Sequence, residues 1–332
     1  MNTFNSDDVS TANARQSAQG AGAKKTGRGK SSMSTSNRQK TITLCILLTI
    51  PIAHWFVFWF YVNIQSIVLA FQDLRTGAFT LQNFVTVWER IVSPINNDIG
   101  ISLINTLKYF GAAVLIDMPL CLVIAYFFYK KIAGYKFFRI IFYLPAIISS
   151  MVLVTAYKEF IDPTGPLGKI IRLFGGTPNP IIATARVETA TTAILIYTIL
   201  TGFTTNVLLF SGAMSRVPIE VIEAAKLDGC GPGVELCKII FPIIWPTFST
   251  QLIFAMTGIF NSSGPILLFT NGKYDTSTVS YWIFAQVYGD GAVGGSGKYN
   301  VVSCAGLCFT LIGYPLILVA RKLTDKIESV EF

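Results

Sequence analysis

The sequence has 332 residues, of which 52% are apolar and 13% are charged, and its formal net charge is +8. So high an apolar share excludes an ordinary soluble domain and predicts an integral membrane protein. A bilayer-spanning helix needs about 20 predominantly apolar residues. We therefore predict an all-α protein with six transmembrane helices, drawn from these stretches: 42–70, 103–129, 137–157, 189–214, 247–270 and 301–320.

The positive charge raises nucleic-acid binding as an alternative, but its placement excludes that function. Lys and Arg residues concentrate in 1–40, in the connection after the second span, in the 216–246 loop and after residue 320. Under the positive-inside rule these segments share one side of the membrane. We therefore predict a multi-pass membrane protein with both termini and the 216–246 loop in the cytoplasm.

Residues 1–40 are polar and lack periodicity, which predicts a disordered basic cytoplasmic tail. Its charge would attract anionic membrane lipid, although a plain solvated tail fits the composition equally well. The apolar run after it is too long for a signal sequence, so we interpret 41–71 as a retained first transmembrane helix. One histidine, His54, and six cysteines without a CxxC pair predict no metal site.

A carboxylate lies in the middle of the second span. Asp117 must face protein or water, because lipid cannot solvate it. We expect a buried hydrogen-bond partner of another helix. The alternative is a proton relay, with or without His54, in a secondary transporter.

The fourth span carries polar residues at helical spacing, which places them on adjoining strips of one surface. Such a surface either packs against another helix or lines a wet passage. The residues concerned are Tyr197, Thr198, Gly202, Thr205 and Asn206.

The loop at 216–246 has the sequence signs of two short helices. Pro218 suits a first helical position, and Gly229 suits a stop with positive φ. A second short helix is predicted over 234–241, ending before Pro242. Within the fifth span, Gly264-Pro265 predicts a broken or bent outer half, which protein or water must cover.

The order of residues in this loop resembles the EAA signature of binding-protein-dependent ABC importer permeases of the carbohydrate type, near the maltose-permease-like subunit. The matching positions, which the resemblance assigns to coupling with an ATPase, are Glu223, Ala224, Ala225, Asp228, Gly229, Ile239 and Pro242. Two further motifs match the same family, Asn105-Thr106-Leu107 and the Phe-Phe-Arg at 137–139. The resemblance implies the type I importer fold, with a permease core at 102–322, a coupling loop at 216–246 and a cytoplasmic C-terminus at 323–332. It also implies a bacterial-type plasma (inner) membrane as the location.

The sequence lacks a phosphate-binding G-x-x-x-x-G-K-[S/T] loop, so this chain itself is expected to hold no ATP. We therefore expect no catalytic residue and no cofactor here. The resemblance implies that ATP and magnesium bind to two partner ATPase subunits. It also implies a second permease subunit and an extracellular solute-binding protein that delivers a sugar or oligosaccharide, moved by alternating access.

The same resemblance implies a substrate pathway along the fourth and fifth helices. Its residues here would be Tyr197, Thr198, Gly202, Thr205, Asn206, Thr257, Phe260 and Asn261. Helix packing remains the competing role for each. Gly264-Pro265 follows Phe260-Asn261 more closely than the family pattern predicts, which bears on the outer part of the path. Two other functions stay open: an ABC permease for a non-sugar solute, and a proton-coupled transporter that uses Asp117.

Overall fold

A computed structural model describes residues 31–73, 76–93, 97–176, 187–261, 264–288 and 298–326. The described residues are almost entirely helical, and their one β feature is an isolated bridge between Gln72 and Phe79. The predictions for 1–30 and for 327–332 lie outside the described residues. The first helix begins at Ser31, within the segment predicted as a disordered tail.

We number the helices in chain order. They are α1 (31–70), α2 (Gln82–Val92), α3 (Asp98–Tyr129), α4 (Tyr135–Ile147), α5 (Ser150–Ile161), α6 (Pro166–Leu173), α7 (Val187–Met214), α8 (Ile219–Leu227), α9 (Pro232–Thr257), α10 (Ile266–Phe269), α11 (Val279–Tyr288) and α12 (Lys298–Thr324).

Two compact units divide the chain, Met1–Ile64 and Gln65–Phe332. The first unit contains most of α1, in which a π-helical segment at Trp55–Tyr61 follows Pro51. Within it the rings of Trp55 and Trp59 stack with centroids 5.1 Å apart. The second unit contains all the other helices.

Five described helices are long and apolar enough to cross a membrane: α1, α3, α7, α9 and α12. A sixth crossing results if α4 and the following helices count as one bent span. The two parts of that span meet at 111°. The stretch predicted as the third span, 137–157, is therefore two helices joined at a bend and not one continuous helix. Extended backbone at Ile148 and Ser149 separates α4 from α5, and an apolar run contains no sign of so short a break.

The helix α9 corrects one further prediction, that of a second short helix over 234–241. Its residues from Pro232 onward form no separate short helix but continue through Pro242 to Thr257. A π-helical turn at Glu235–Ile240 directly precedes Pro242. Such a turn displaces the backbone hydrogen bonds locally, so a residue without an amide donor fits there without ending the helix.

The outer part of the fifth span is broken, as predicted. After Thr257 the chain turns, and Gly264 has a φ of +55°. Only the short helix α10 continues, so the span ends well before the predicted residue 270.

Two apolar clusters hold opposite ends of the second unit together. The first, which we call the α8 cluster, joins α3, α7, α8 and α9 through buried residues that include Phe210, Met214, Ile222, Leu236 and Ile240. The second, the α11 cluster, joins α2, α3, α11 and α12 through residues that include Val87, Ile99, Val279, Trp282 and Phe309.

Hydrogen bonds fix α11 and the turn before it to the first half of α3. The Asn105 amide donates to the carbonyls of Asp275 and Ser277, at 2.6 and 3.0 Å. The Trp282 indole donates to a carboxylate oxygen of Asp98 at 2.7 Å. These bonds define the end of the unit that lies opposite α8.

Candidate functional site

The turn after α8 is a tightly hydrogen-bonded helix stop. Gly229 has a φ of +74°, which confirms the predicted left-handed conformation. Its amide donates to the carbonyl of Lys226 at 3.1 Å, and the amide of Cys230 donates to that of Ala225 at 3.0 Å. This pair of bonds is the Schellman pattern, which satisfies the last carbonyls of the helix and favours glycine at the stop.

The helix α8 has one face held by the unit and one face open. Ile222 and Ala225 are buried, and Ile222 belongs to the α8 cluster. Glu223 and Ala224 lie on the exposed face. Leu227, at the end of the helix, is 90% exposed. The outer face of α8 is therefore not packed against any described part of the chain.

The other predicted coupling residues lie outside α8. Asp228 is exposed, whereas Ile239 and Pro242 are half-buried on α9, where Ile239 packs against the α8 cluster. Pro218 lies one residue before the helix rather than at its first position, since α8 begins at Ile219.

Glu223, the first residue of the EAA-like motif, does not bond to the helix that follows α8. Among the described residues, Glu223 makes no hydrogen bond or ion pair, and its side chain is exposed. A second carboxylate in the same loop is buried instead. Glu235, in the π turn of α9, has a side chain only 3% exposed.

The partner of Glu235 is Lys130, at the end of α3. Lys130 Nζ lies 2.6 Å from Oε1 and 2.7 Å from Oε2 of Glu235. Sequence reasoning missed this pair, because 105 positions separate the two residues and neither belongs to a motif. The ion pair joins the loop after α8 to the rest of the second unit.

The polar residues of α7 point in several directions. Tyr197 is buried, and its ring meets those of Tyr157 and Phe269 at 5.2 and 4.9 Å. Thr198 lines a cavity of about 210 Å³, together with residues that include Thr106 and Tyr109 of α3 and Gly258 after α9. Tyr197 therefore packs, whereas Thr198 faces open volume.

Further along α7, Gly202 and Thr205 are exposed, and nothing lies within 4 Å of the position that a Cβ would take at Gly202. Asn206 turns the other way and donates its amide to Asp117 Oδ2 at 3.0 Å. Asp117 is 8% exposed. It is thus the buried hydrogen-bond partner that the sequence analysis expects, and Asn206 joins α7 to α3.

The three pathway residues of the fifth span lie at and beyond the end of α9. Thr257 is exposed, and its hydroxyl donates to the carbonyl of Phe254 at 2.9 Å. Phe260 packs against the α11 cluster and stacks on Phe309, with ring centroids 5.2 Å apart. Asn261 is exposed and accepts a hydrogen bond from Ser280 Oγ at 3.2 Å through its carbonyl. Phe260 and Asn261 are therefore turn residues rather than helix residues.

No three His, Cys, Asp or Glu side chains come together as a metal site within the described parts of the chain.

The long apolar helices define a multi-pass membrane protein. Residues 117–329 match the sequence model of the family described as "Binding-protein-dependent transport system inner membrane component". This match covers more than half of the chain, which therefore belongs to that family and is a permease subunit of an ABC importer. Family membership makes it a transport subunit rather than an enzyme.

Several characterised permeases are similar to the chain. It is 26% identical over 235 residues to the multiple sugar-binding transport system permease protein MsmF of Streptococcus mutans, covering 69% of this chain and 76% of that protein. It is 28% identical over 215 residues to the maltodextrin transport system permease protein MdxF of Bacillus subtilis, covering 60% of this chain and 48% of that one.

A solved structure shares the fold. It is the crystal structure of a bacterial ABC transporter involved in the import of the acidic polysaccharide alginate, with a TM-score of 0.72 and 20% sequence identity. The match covers 88% of this chain and 99% of the chain in that structure. The chain accordingly has the type I importer permease fold.

Proposed function

We propose that the chain is one permease subunit of an ATP-driven importer that moves a sugar or oligosaccharide, delivered by an extracellular binding protein, by alternating access. The similarity to MsmF and MdxF, which are named for multiple-sugar and maltodextrin transport, supports the substrate class. In this proposal two separate ATPase subunits bind ATP and magnesium, and a second permease subunit completes the passage.

The geometry of α8 is the observation that carries the proposal. Its outer face, with Glu223, Ala224 and Leu227, is free to meet another protein. Its inner face is fixed to α9 and α7 by the α8 cluster. A force applied to the outer face therefore reaches two membrane helices directly, which is what coupling to an ATPase requires.

We propose that the chain lies in a bacterial-type inner membrane, with α8 and both chain termini on the cytoplasmic side. Besides the charge pattern, two contacts support it. Lys130 at the end of α3 pairs with Glu235 in the α8 loop. The Trp245 indole of α9 donates to the carbonyl of Thr324, at the end of α12, at 3.3 Å. The basic connections and the last helix end thus lie at the same end of the unit as α8.

For the substrate pathway we propose the polar positions that are not engaged in packing. These are Thr198, which lines the cavity of about 210 Å³, and the exposed Gly202, Thr205 and Thr257. Hydroxyl groups and a bare backbone surface suit sugar hydroxyls. Three other predicted pathway residues hold the helices in position and do not face the pathway. They are Tyr197 and Phe260, which pack against aromatic rings, and Asn206, which forms a hydrogen bond to another helix. Asn261 lies at the exposed turn beside them.

The test uses Gly229→Asp and Glu223→Lys in the assembled transporter. A side chain at Gly229 strains the left-handed turn, and Lys at 223 reverses the charge of the open face. We expect either variant to abolish ATP-driven uptake in vesicles while the chain still inserts and binds its partner permease. The ATPase should dissociate, or hydrolyse ATP without transport.

Matched controls are Gly77→Asp and Glu89→Lys. Gly77 also has positive φ and open space around it, and Glu89 is exposed on α2. Both controls lie away from α8 and should transport normally. Normal uptake by both α8 variants would show that the α8 loop is only a connection between helices.

A further inference from the structure

A cavity of about 630 Å³ lies beside α8 and has a strongly basic rim. It is bounded by the end of α3, the start of α4, the end of α7 and the inner part of α8. Four cations line it: Lys130, Lys131, Arg139 and Lys226. No carboxylate is among its lining residues.

Three of these four cations have no anionic partner. Glu235 neutralises Lys130, because its two oxygens lie within 2.7 Å of Nζ. Lys131, Arg139 and Lys226 form no ion pair with any residue that the structure describes, and all three are exposed. The cavity rim therefore carries an uncompensated positive charge.

The rest of the lining is amphipathic. Phe128 and Leu208 form an apolar wall, while Tyr129 and Ser215 contribute hydroxyl groups. This composition suits a ligand with one anionic end and one apolar end.

The cavity also opens beside an exposed apolar surface. The helix α4 has no buried residue. Its side chains Phe137 and Ile140 are 65% and 67% exposed. An apolar helix surface next to a cluster of cations is the arrangement expected at the boundary between the hydrocarbon and headgroup layers.

We propose that this cavity binds the phosphate headgroup of an anionic phospholipid, with Lys131, Arg139 and Lys226 on the phosphate and an acyl chain along Phe128 and Leu208. The proposal rests on the cytoplasmic orientation given above, since anionic lipid then occupies the adjoining leaflet. The bound lipid links the α3–α4 turn to α8, so membrane composition tunes the stability of the loop that meets the ATPase.

The experiment measures lipid bound to the complete transporter. The complex is purified in a zwitterionic detergent and titrated with phosphatidylglycerol or phosphatidylcholine, and retained lipid is counted by native mass spectrometry. We expect selective retention of phosphatidylglycerol. Replacing Lys131, Arg139 and Lys226 together by Gln should weaken that binding about a hundredfold, since each basic residue near an anionic lipid surface contributes about a factor of five.

A second variant keeps α8 unchanged. Lys131→Gln with Arg139→Gln should weaken phosphatidylglycerol binding by roughly twentyfold on the same basis. The charge-matched control replaces Lys136, Lys322 and Lys326 by Gln. These residues carry equal charge on the same proposed side but do not line the cavity, so the control should bind lipid like the unmodified chain.

Three outcomes would overturn the proposal. The first is equal loss of binding in the control and the cavity variants, which would indicate attraction by net charge alone. The second is full retention in both cavity variants. The third is that inorganic phosphate raises the thermal unfolding temperature of the complex as much as phosphatidylglycerol does, which would make the cavity a site for a free anion. The lipid-binding and unfolding measurements do not depend on uptake, so they still test the lipid site if the transport proposal fails.

Discussion

Two buried carboxylates lie in similar backbone settings but have different partners. A π turn interrupts α3 at Ala113–Asp117, and Asp117 ends it two residues before Pro119. Glu235 begins the π turn of α9 at Glu235–Ile240, which ends two residues before Pro242. Asp117 accepts a hydrogen bond from the neutral Asn206 amide. Glu235 instead meets the ammonium group of Lys130.

Position along the helices explains the difference. Lys130 follows the last residue of α3, and its side chain is 24% exposed, so water still reaches the ion pair. Asp117 lies in the middle of α3, where a full ion pair would have to be desolvated on all sides at a cost of several kcal/mol per ion. The two carboxylates thus share a π turn close to a proline, and they differ in exposure to water: the one with the charged partner lies next to a partly exposed helix end.

Removing the cation from the Glu235 pair should have the largest effect. Lys130→Met leaves a carboxylate whose side chain is 3% exposed without a counter-ion. We expect the free energy of unfolding to fall by about 3–5 kcal/mol, as for other broken buried pairs. The measurement is detergent-titrated unfolding of the purified chain. Lys136→Met, an exposed cation nearby, is the control, and equal stability of the two variants would contradict the assignment.

Next in size is the removal of the Asp117 partner. Asn206→Ala deprives Asp117 Oδ2 of its donor, which should cost about 1–3 kcal/mol in the same unfolding measurement. Thr205→Ala alters the adjacent, exposed side chain and should be nearly neutral. A loss of stability in Thr205→Ala as large as that in Asn206→Ala would indicate a general weakening of α7 instead.

A milder change to Glu235 separates charge from hydrogen bonding. In Glu235→Gln the amide oxygen can still accept a hydrogen bond from Lys130, and the partly exposed ammonium group can turn to water. We expect a loss of about 1 kcal/mol, the usual net value of one hydrogen bond. If Glu235→Gln is as damaging as Lys130→Met, the charge of Glu235 itself holds the α8 loop.

The smallest effect should come from Asp117→Asn. The new amide oxygen can accept the same hydrogen bond from Asn206, so stability should change by no more than about 0.5 kcal/mol. ATP-driven uptake should stay close to that of the unmodified chain. Loss of uptake with normal assembly and expression would instead favour the proton-coupled alternative, in which Asp117 carries a proton.

The features that are predicted correctly are those that depend on a short local pattern of residues. Apolar length identifies the long helices, and the need for a residue without a Cβ identifies the left-handed stop at Gly229. The family resemblance rests on the same kind of local pattern, and the match at 117–329 confirms it.

The features that are predicted wrongly depend on contacts between helices or on local backbone geometry, which override the preference of a single residue. A proline normally ends a helix, which is why 234–241 is predicted to stop before Pro242, yet the π turn lets α9 continue. The Lys130–Glu235 pair and the bend between α4 and α5 have no local sign, since the first depends on two helices meeting and the second on two residues of extended backbone. The directions of Tyr197 and Asn206 likewise follow from neighbouring helices.

The continuity of α9 has a mechanical consequence. At 26 residues and 1.5 Å per residue the helix is about 39 Å long, and it begins at the turn that follows α8. If α9 moves as a rigid body, a tilt of about 5° at Pro232 shifts Thr257 sideways by roughly 3 Å. In the proposed mechanism, a small rotation at the α8 end would therefore also shift Ala255, which lines the cavity beside Thr198.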